Sequence, residues 1–117
     1  MAVMIGNDTK DKVFLLSDSE MKNTKYGFNP DIDECDIKRR SAPTKYAVAQ
    51  GVNQHSGNDI DCITADKIGA CWWWLRSPGY IGKAVACVDS GGMVDIDGYS
   101  VTHDAEGVRP AMYIFLK

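Results

Sequence analysis

The second half of the sequence contains four short β-prone runs, and glycine-containing turns separate them. The runs read CWWWLRS, KAVACVD, GMVDID and VRPAMYIFL. The Ser-Gly-Gly stretch at residues 90–92 lies between two apolar runs and predicts a hairpin. Strands joined by short turns predict an antiparallel meander with one buried and one solvated face. The side chains expected to alternate toward the buried face are Val85, Cys87, Met93 and Ile96.

Pro110 lies inside the last of these runs. Because proline has no N–H to donate to a ladder hydrogen bond, the fourth strand is expected to be an edge strand or to be interrupted at this residue.

A short helix is predicted near the start of the chain. Ser17 and Glu20 have the spacing of a capping box, in which each side chain accepts a hydrogen bond from the other residue's N–H. The helix is expected to run through Met21 and Lys25 and to end at Gly27 in a left-handed conformation.

A second helix is predicted in the segment SAPTKYAVAQG. Ser41 is expected to cap it, Pro43 to lie in its first turn, Gly51 to end it, and the stretch YAVA to form its apolar side. Residues 28–40 and 51–68 lack periodicity and are expected to be loops. Two short helices followed by a meander predict an α+β fold.

Length and charge exclude several classes of protein. The 117 residues allow one domain, and the net charge of −3 is spread along the chain. The only basic run, at residues 38–40, follows several acidic residues and is expected to be a solvated loop, so nucleic acid is not an expected partner. No apolar run reaches about 18 residues and no signal-peptide pattern precedes the first strand, so we expect no membrane association. The location is left unassigned, and the chain as written is read as cytoplasmic.

The four cysteines, at positions 35, 62, 71 and 87, have no C-x-x-C spacing. Free thiols in a reducing compartment are the favoured interpretation, and one or two disulfides remain the alternative. Cys71 and Cys87 lie in strand-like runs and are candidates for cross-strand neighbours.

No cofactor or metal is expected. His55 and His103 lie in polar, turn-like contexts and are expected at the surface. His103, Asp104 and Glu106 are close in sequence, but no helix or strand holds them in a ligand geometry.

The three tryptophans lie side by side in a predicted strand, where neighbouring side chains face opposite ways. Trp73 is therefore expected on the core face with Leu75, and Trp72 and Trp74 on the other face with Arg76. An exposed indole that binds a ligand is the alternative for this face, and we assign that role to Trp72.

Two arginines lie within apolar runs, where an unpaired guanidinium would be costly to bury. They are expected to find carboxylates or backbone carbonyls. The residues to which the sequence assigns a structural role are Trp73, Trp74, Arg76 and Arg109.

Several stretches also resemble the motifs of a known family. These are DKVFLLSDSE, RRSAPTKYA, WWWLRSPG, GGMVDIDG and GVRPAMYI, in order from Asp11 to Ile114. They resemble a family of bacterial and phage-associated domains of uncharacterised function, common in gut Firmicutes, with the signature F-L-L-S-x-x-E, P-T-x-Y-A, W-W-L-R-S-P-G and G-V-R-P-A. That family is similar in architecture to the C-type-lectin-like fold, including the formylglycine-generating-enzyme type.

The resemblance implies a single C-type-lectin-like domain over residues 1–117. Members usually carry a further segment before the F-L-L-S motif, so the chain is expected to be a fragment or a minimal version of the larger domain. A sheet edge left unprotected in this way favours a homodimer.

The resemblance implies a non-catalytic module that recognises a protein or glycan through loops on a rigid sheet. Some relatives of the broader fold are diversified at such surface positions by retroelements. The residues expected to bind ligand are Trp72, Tyr80, Lys83, Asp95, Asp97, Tyr99, His103 and Asp104, with Ser100 beside them.

Two alternatives to this binding role remain open. One is an enzyme of the formylglycine-generating type that acts through a cysteine. The other is a structural fragment of a larger surface or tail protein. The sequence contains neither the calcium motifs of sugar-binding lectins nor a convincing equivalent of the paired catalytic cysteines of the enzyme type.

Overall fold

A three-stranded antiparallel sheet forms the centre of the fold. The structure is a computed structural model, and it describes residues 13–55, 69–112 and 114. β1 spans Trp73–Pro78, β2 spans Ala84–Val88 and β3 spans Val94–Ser100, in the spatial order β1-β2-β3. Within these described ranges one α-helix, α1 (Lys45–Ala49), precedes the sheet. Three 3-10 turns also precede it there, at Glu20–Lys22, Thr24–Tyr26 and Ile37–Arg39. The predicted α+β fold with an antiparallel meander is therefore confirmed.

The prediction of a first helix is wrong, because the segment forms two separate 3-10 turns instead. The capping box itself is formed: the Ser17 N–H donates to Glu20 Oε1 at 2.8 Å, and the Glu20 N–H donates to Ser17 Oγ at 3.2 Å. Asn23 then breaks the helix, since its backbone is extended and its side chain accepts from the Lys25 N–H, which starts a new turn. Gly27 ends this second turn with a left-handed φ of 88°, as predicted.

The second helix is shorter than predicted and has a different cap. Thr44 caps α1, with its Oγ1 accepting from the N–H three residues later at 3.1 Å. Ser41 is not the cap, because its carbonyl accepts from the Cys71 N–H at 2.8 Å, and Pro43 lies before the helix. The predicted apolar side of α1 is not buried, and Tyr46 is 75% exposed.

The predicted hairpin joins β2 and β3 through residues 89–93. The Asp89 carboxylate holds the turn by accepting from the N–H groups of Gly91 and Met93, each at 2.9 Å. Gly92 has a φ of 90°, a conformation that residues with a Cβ rarely adopt. The Ser-Gly-Gly signal therefore predicted both the position of this turn and its need for glycine.

β2 is buried along nearly its whole length, so the alternation predicted for it is wrong. Ala86 and Val88 belong to the core cluster, and Cys87 on the opposite face is also fully buried. A central strand covered on both faces carries a continuous apolar run rather than an alternating one. The pairing with β3 also shifts between Val85 and Cys87, and Ile96 in this irregular part is 49% exposed.

The fourth β-prone run forms no strand in its described residues, 108–112 and 114. Ala111 forms a single antiparallel bridge with Phe14, with N–H···O distances of 3.0 and 2.8 Å in the two directions. Pro110 directly precedes this bridge, which agrees with the predicted interruption.

The core lies between the sheet and the irregular first half of the chain. Because short turns and loops cover this face of the sheet, apolar side chains from distant parts of the sequence meet there. The buried core residues are Leu16, Met21, Phe28, Trp73, Leu75, Ala86, Val88, Val94 and Ala111.

Arg39 is 0% exposed, which corrects the solvated loop predicted for residues 38–40. Burial lowers the pKa of its guanidinium, and Asp36 opposes that shift. Its five N–H groups all donate to backbone carbonyls, those of Gly92 (2.7 Å), Met21 (2.9 Å), Asn29 (3.0 Å), Asp31 (2.9 Å) and Glu34 (2.9 Å). Arg39 therefore connects the loop before it to the β2–β3 hairpin.

Some predictions fall on parts of the chain outside the described residues. The loop predicted for residues 51–68 is irregular in residues 51–55, and residues 56–68 with Cys62 lie outside, as do residues 1–12, 113 and 115–117. In the ranges that are described, the helices are too short and too polar to cross a membrane.

Candidate functional site

A cavity of about 360 Å³ opens beside the start of β1 and the end of β3. Its size lies in the range of small-molecule sites, and both polar and aromatic side chains line it. The lining residues that matter below are His55, Trp72, Ser90, Tyr99, His103 and Glu106.

Three aromatic rings form one side of this cavity. The Trp72 and Tyr99 rings meet edge to face with centroids 5.1 Å apart. The His103 ring stacks on Tyr99 at a centroid distance of 5.3 Å and an interplanar angle of 26°. Trp72 is half-buried, whereas Tyr99 and His103 are exposed, so the row runs from the interior to solvent. Such a row offers ring faces and edges to a ligand.

Glu106 places a carboxylate in the cavity with its side chain 0% exposed. Neither of its oxygens accepts a hydrogen bond from the residues that the structure describes. Among the described residues, His103 has its Nδ1 3.5 Å from Glu106 Oε1. Burial, with a smaller contribution from the negative Asp95, raises the pKa of Glu106 from 4.5 to about 7. The cavity therefore contains a carboxyl group that changes charge near neutral pH.

Gly107 explains why Glu106 is buried. The Gly107 N–H donates to the Trp72 carbonyl at 2.7 Å, and its own carbonyl accepts from the Trp74 N–H at 3.0 Å. This pairing draws the chain against β1, and a Cβ on Gly107 would lie only 3.2 Å from Cys71 Sγ. The side chain of the preceding residue, Glu106, is thereby held in the cavity that the three rings also line.

His55 lies on another side of the cavity and is half-buried, which corrects the surface position predicted for it. Its Nδ1 lies 3.3 Å from Ser90 Oγ, and its Nε2 is buried without a partner in the described residues. Its backbone is fixed on both sides, because its N–H donates to the Ala70 carbonyl at 2.7 Å and its carbonyl accepts from the Gly69 N–H at 3.0 Å.

The structure brings three of the eight predicted ligand-binding residues together at the cavity: Trp72, Tyr99 and His103. Asp95 is half-buried, and its Oδ1 accepts from the N–H groups of Asp97 and Gly98 within β3.

The remaining predicted residues, Tyr80, Lys83, Asp97 and Asp104, are exposed and do not line the cavity. Tyr80 and Lys83 lie in the β1–β2 turn, where the Tyr80 N–H donates to the Asp97 carbonyl at 2.9 Å. Asp104 follows His103 in the loop after β3. That these four residues bind a ligand stays a prediction.

Of the four residues assigned a structural role, Trp73 and Arg109 contact each other and the backbone of residues 38–39. Trp73 is 1% exposed and donates its indole N–H to the Arg39 carbonyl at 2.9 Å. Arg109 lies over the Trp73 ring at 4.9 Å and donates to the Lys38 carbonyl at 3.3 Å; burial lowers its pKa. Trp74 is half-buried in β1.

Arg76 is the most exposed of the four, with 39% of its side chain accessible. Its guanidinium contacts the Glu20 carboxylate and donates to the Leu15 carbonyl at 3.0 Å. Burial along β1 alternates as the strand period predicts, with Leu75 in the core and Arg76 outward.

The sequence indicated neither Glu106 nor His55 as part of a cavity. The sequence places Glu106 only near His103 and Asp104, and no pattern marks it as buried because Ala105 and Gly107 on either side are typical of a turn. His55 precedes a polar loop and gives no signal of burial. Among the residues in the described ranges, no group of three or more histidine, cysteine or acidic side chains is arranged to hold a metal ion.

The cysteines differ from the favoured prediction of four free thiols. Cys35 is disulfide-bonded, whereas Cys71 and Cys87 are free and buried. Burial is the main cause that raises the pKa of both free thiols, and the nearby Glu106 carboxylate adds to it. Cys71 and Cys87 are therefore not joined to each other.

The fold and the cavity together define a small α+β protein with a ligand-sized cavity beside a three-stranded antiparallel sheet. A family model described as a domain of unknown function (DUF6273) matches residues 3–116. The chain belongs to this family. No curated protein and no solved structure matches the chain.

Proposed function

We propose that the protein is a non-catalytic ligand-recognition module of a bacterial or phage-derived protein, and that the cavity is its ligand site. The observation that carries this proposal is a buried carboxylate, Glu106, without a hydrogen-bond partner in the described residues, next to a row of three aromatic rings. Buried polar groups in folded proteins are nearly always paired, so an open one in a cavity is a natural point of attachment for a ligand.

A C-type-lectin-like architecture is part of this proposal. The segment G-V-R that starts at Gly107 lies beside the tryptophan-rich strand and pairs with Trp73 in a parallel bridge. The resemblance to the C-type-lectin-like fold implies a central sheet built from a tryptophan-rich strand and a terminal G-V-R strand, and this neighbourhood supports it. Ligand recognition by loops beyond the sheet then accommodates a protein or a glycan.

Burial of the two free thiols favours a binding role over thiol catalysis. A catalytic cysteine needs an accessible thiolate, with a pKa lowered by cationic groups or a helix N-terminus. Cys71 is 3% exposed and Cys87 is 0% exposed, and burial raises the pKa of both. These properties are typical of structural cysteines.

A ligand-observed NMR screen tests the proposed function. The library contains small molecules, oligosaccharides and short peptides, and each hit is repeated with the variant Tyr99→Ala. Tyr99 is 41% exposed and contacts both neighbouring rings, so its removal is expected to weaken cavity ligands at least about tenfold.

Tyr46→Ala is the matched control, because Tyr46 lies on α1, is 75% exposed and does not line the cavity. It is expected to leave binding unchanged. Hits that respond equally to both substitutions, or no hits at all, would contradict the proposal that the cavity is the ligand site.

We also propose that β3 supports a homodimer. In the described part of the chain β3 has a partner strand on one side only, that of β2. Both edge strands also make a backbone hydrogen bond on their outer side: in β3 the Val94 N–H donates to the Ile32 carbonyl at 2.9 Å, and in β1 the Arg76 N–H donates to the Leu16 carbonyl at 2.9 Å. A second copy is therefore expected to pair with the part of β3 that follows Val94. Light scattering coupled to size-exclusion chromatography is expected to give twice the mass of 12.9 kDa at micromolar concentration. A monomer over the whole concentration range would refute this.

A further inference from the structure

Glu106 is a buried acid to which the described residues donate no hydrogen bond. Its side chain is 0% exposed, yet it lines a cavity with access from outside. An ionised carboxylate accepts several hydrogen bonds, and burying one without them is costly. A ligand that enters the cavity with N–H donors would donate the hydrogen bonds that the described residues do not give to the Glu106 carboxylate.

The rest of the cavity is suited to positive charge. Trp72 and Tyr99 present π systems, which attract cations within about 6 Å of the ring centroid. Asp95 is close enough to raise the pKa of Glu106, so a second negative group acts on the same site. An anionic ligand would be repelled by both carboxylates.

On the basis of the proposed function of this cavity, we propose that its ligand is an organic cation with N–H donors, an alkylammonium or a guanidinium. The charged end lies at Glu106, and the alkyl part lies against Trp72 and Tyr99. A quaternary ammonium satisfies the charge but cannot donate to the two open oxygens of Glu106. A metal ion is disfavoured, since no suitable group of three ligands exists within the described ranges.

This ligand class predicts a definite pH dependence. Cation binding requires ionised Glu106, whose pKa is about 7 in the empty protein, so affinity is expected to rise about tenfold from pH 6 to pH 8. The titratable groups that face Glu106 are His55, His103, Asp95, Tyr99, Cys71 and Cys87.

Isothermal titration calorimetry with four probes tests the ligand class on the full chain. Two probes are cations with N–H donors, n-butylammonium and n-butylguanidinium. The comparisons are tetramethylammonium, a cation without N–H donors, and n-butanol, which is neutral. At least one of the two N–H cations is expected to bind at pH 8 about tenfold or more tightly than either comparison. Titrations in two buffers of different ionisation enthalpy are expected to show proton release on binding near pH 6.5.

Glu106→Gln keeps the shape of the side chain and removes its charge. It is expected to lower cation affinity at pH 8 at least about tenfold and to abolish the rise from pH 6 to pH 8. Glu34→Gln, at an exposed glutamate outside the cavity, is the matched control and is expected to retain both. Circular dichroism verifies that each variant is folded. If a variant does not fold, proton release on binding in the wild type still tests the inference.

The outcomes separate this inference from the proposed function. Cavity hits in the library screen without binding of either N–H cation would overturn the inference and leave the proposed function intact. Equal affinity for n-butanol, or unchanged cation affinity in Glu106→Gln at pH 8, would overturn it as well. Absence of any ligand that depends on Tyr99 would overturn both.

Discussion

Replacing Arg39 with lysine keeps the positive charge and removes two of the five N–H donors of the side chain. In the protein all five donate to backbone carbonyls, at distances from 2.7 to 3.0 Å. The bonds to Gly92 and Met21 are buried, so water cannot replace them there. At least two carbonyls therefore lose their donor in Arg39→Lys.

The expected loss of stability follows from this count. A buried acceptor left without a partner costs about 1–3 kcal/mol, and a hydrogen bond to a charged group contributes about 1.5–3 kcal/mol. Because the bonds to Asn29, Asp31 and Glu34 are only partly buried, water relieves part of the loss at those carbonyls. We expect Arg39→Lys to lower the free energy of unfolding by about 2–4 kcal/mol, a large fraction of the about 5–15 kcal/mol typical of a domain.

Urea unfolding monitored by tryptophan fluorescence measures this loss. The signal comes from three adjacent tryptophans, of which Trp73 donates its indole N–H to the Arg39 carbonyl at 2.9 Å. The disulfide state is kept the same in all samples, because Cys35 is disulfide-bonded. The denaturation midpoint is expected to fall while the slope stays constant, as for a change in stability alone.

Arg76→Lys makes the same chemical change at a site where 39% of the side chain is exposed. One nitrogen of Arg76 contacts both the Glu20 carboxylate and the Leu15 carbonyl, and a lysine ammonium can serve both partners. This control is expected to cost less than about 1 kcal/mol. If Arg39→Lys costs no more than Arg76→Lys, the argument from donor count is refuted.

Three further predictions concern the hairpin, the buried acid and the thiols. Gly92→Ala is expected to destabilise by at least about 2 kcal/mol, because φ is 90° and the new Cβ meets backbone, whereas Gly82→Ala, with open space, is expected to stay within about 0.5 kcal/mol in the same urea assay. The folded-state pKa of Glu106, about 7, lies above its ordinary 4.5, so the unfolded state ionises first and stability falls as pH rises through this interval. Between pH 4.5 and pH 8 the wild type is therefore expected to lose about 3 kcal/mol of its free energy of unfolding through this group. Glu106→Gln is expected not to show this loss, and thermal or urea unfolding at the two pH values measures the difference. Alkylation followed by peptide mapping at pH 7.5 is expected to label Cys71 and Cys87 at least about tenfold more slowly in the native than in the denatured protein, and rapid native labelling of either would reopen thiol chemistry.

Features set by neighbours in sequence could be predicted before the structure was known. The turn at residues 90–92 follows from glycine in a left-handed conformation, and the capping box follows from the spacing of Ser17 and Glu20. Pro110 marked the interruption of the last run for an equally local reason. In each case the decisive interaction spans a few residues, so the pattern contains it.

Features set by distant segments could not be predicted in this way. Arg39 lies in a basic run that is typical of solvent, and its burial depends on carbonyls up to 53 residues away in sequence. β2 is buried on both faces because other segments cover its second face. The alternation of side chains along a strand does not indicate whether a second face is covered. Trp72, Tyr99 and His103 were each proposed to bind ligand, but only the tertiary fold shows that their rings adjoin and that Glu106 lines the same cavity.

Arg39 and Glu106 are both buried charged residues, yet their hydrogen bonds assign them different roles. Arg39 uses every donor on the fold itself, so its burial stabilises the arrangement of loops around the sheet. Glu106 has open acceptors in a cavity, and its raised pKa means that the empty protein is less stable at neutral pH than it would be with a neutral side chain. The same unsatisfied charge that lowers stability is what a cationic ligand would bind, so Glu106→Gln should gain stability and lose binding together.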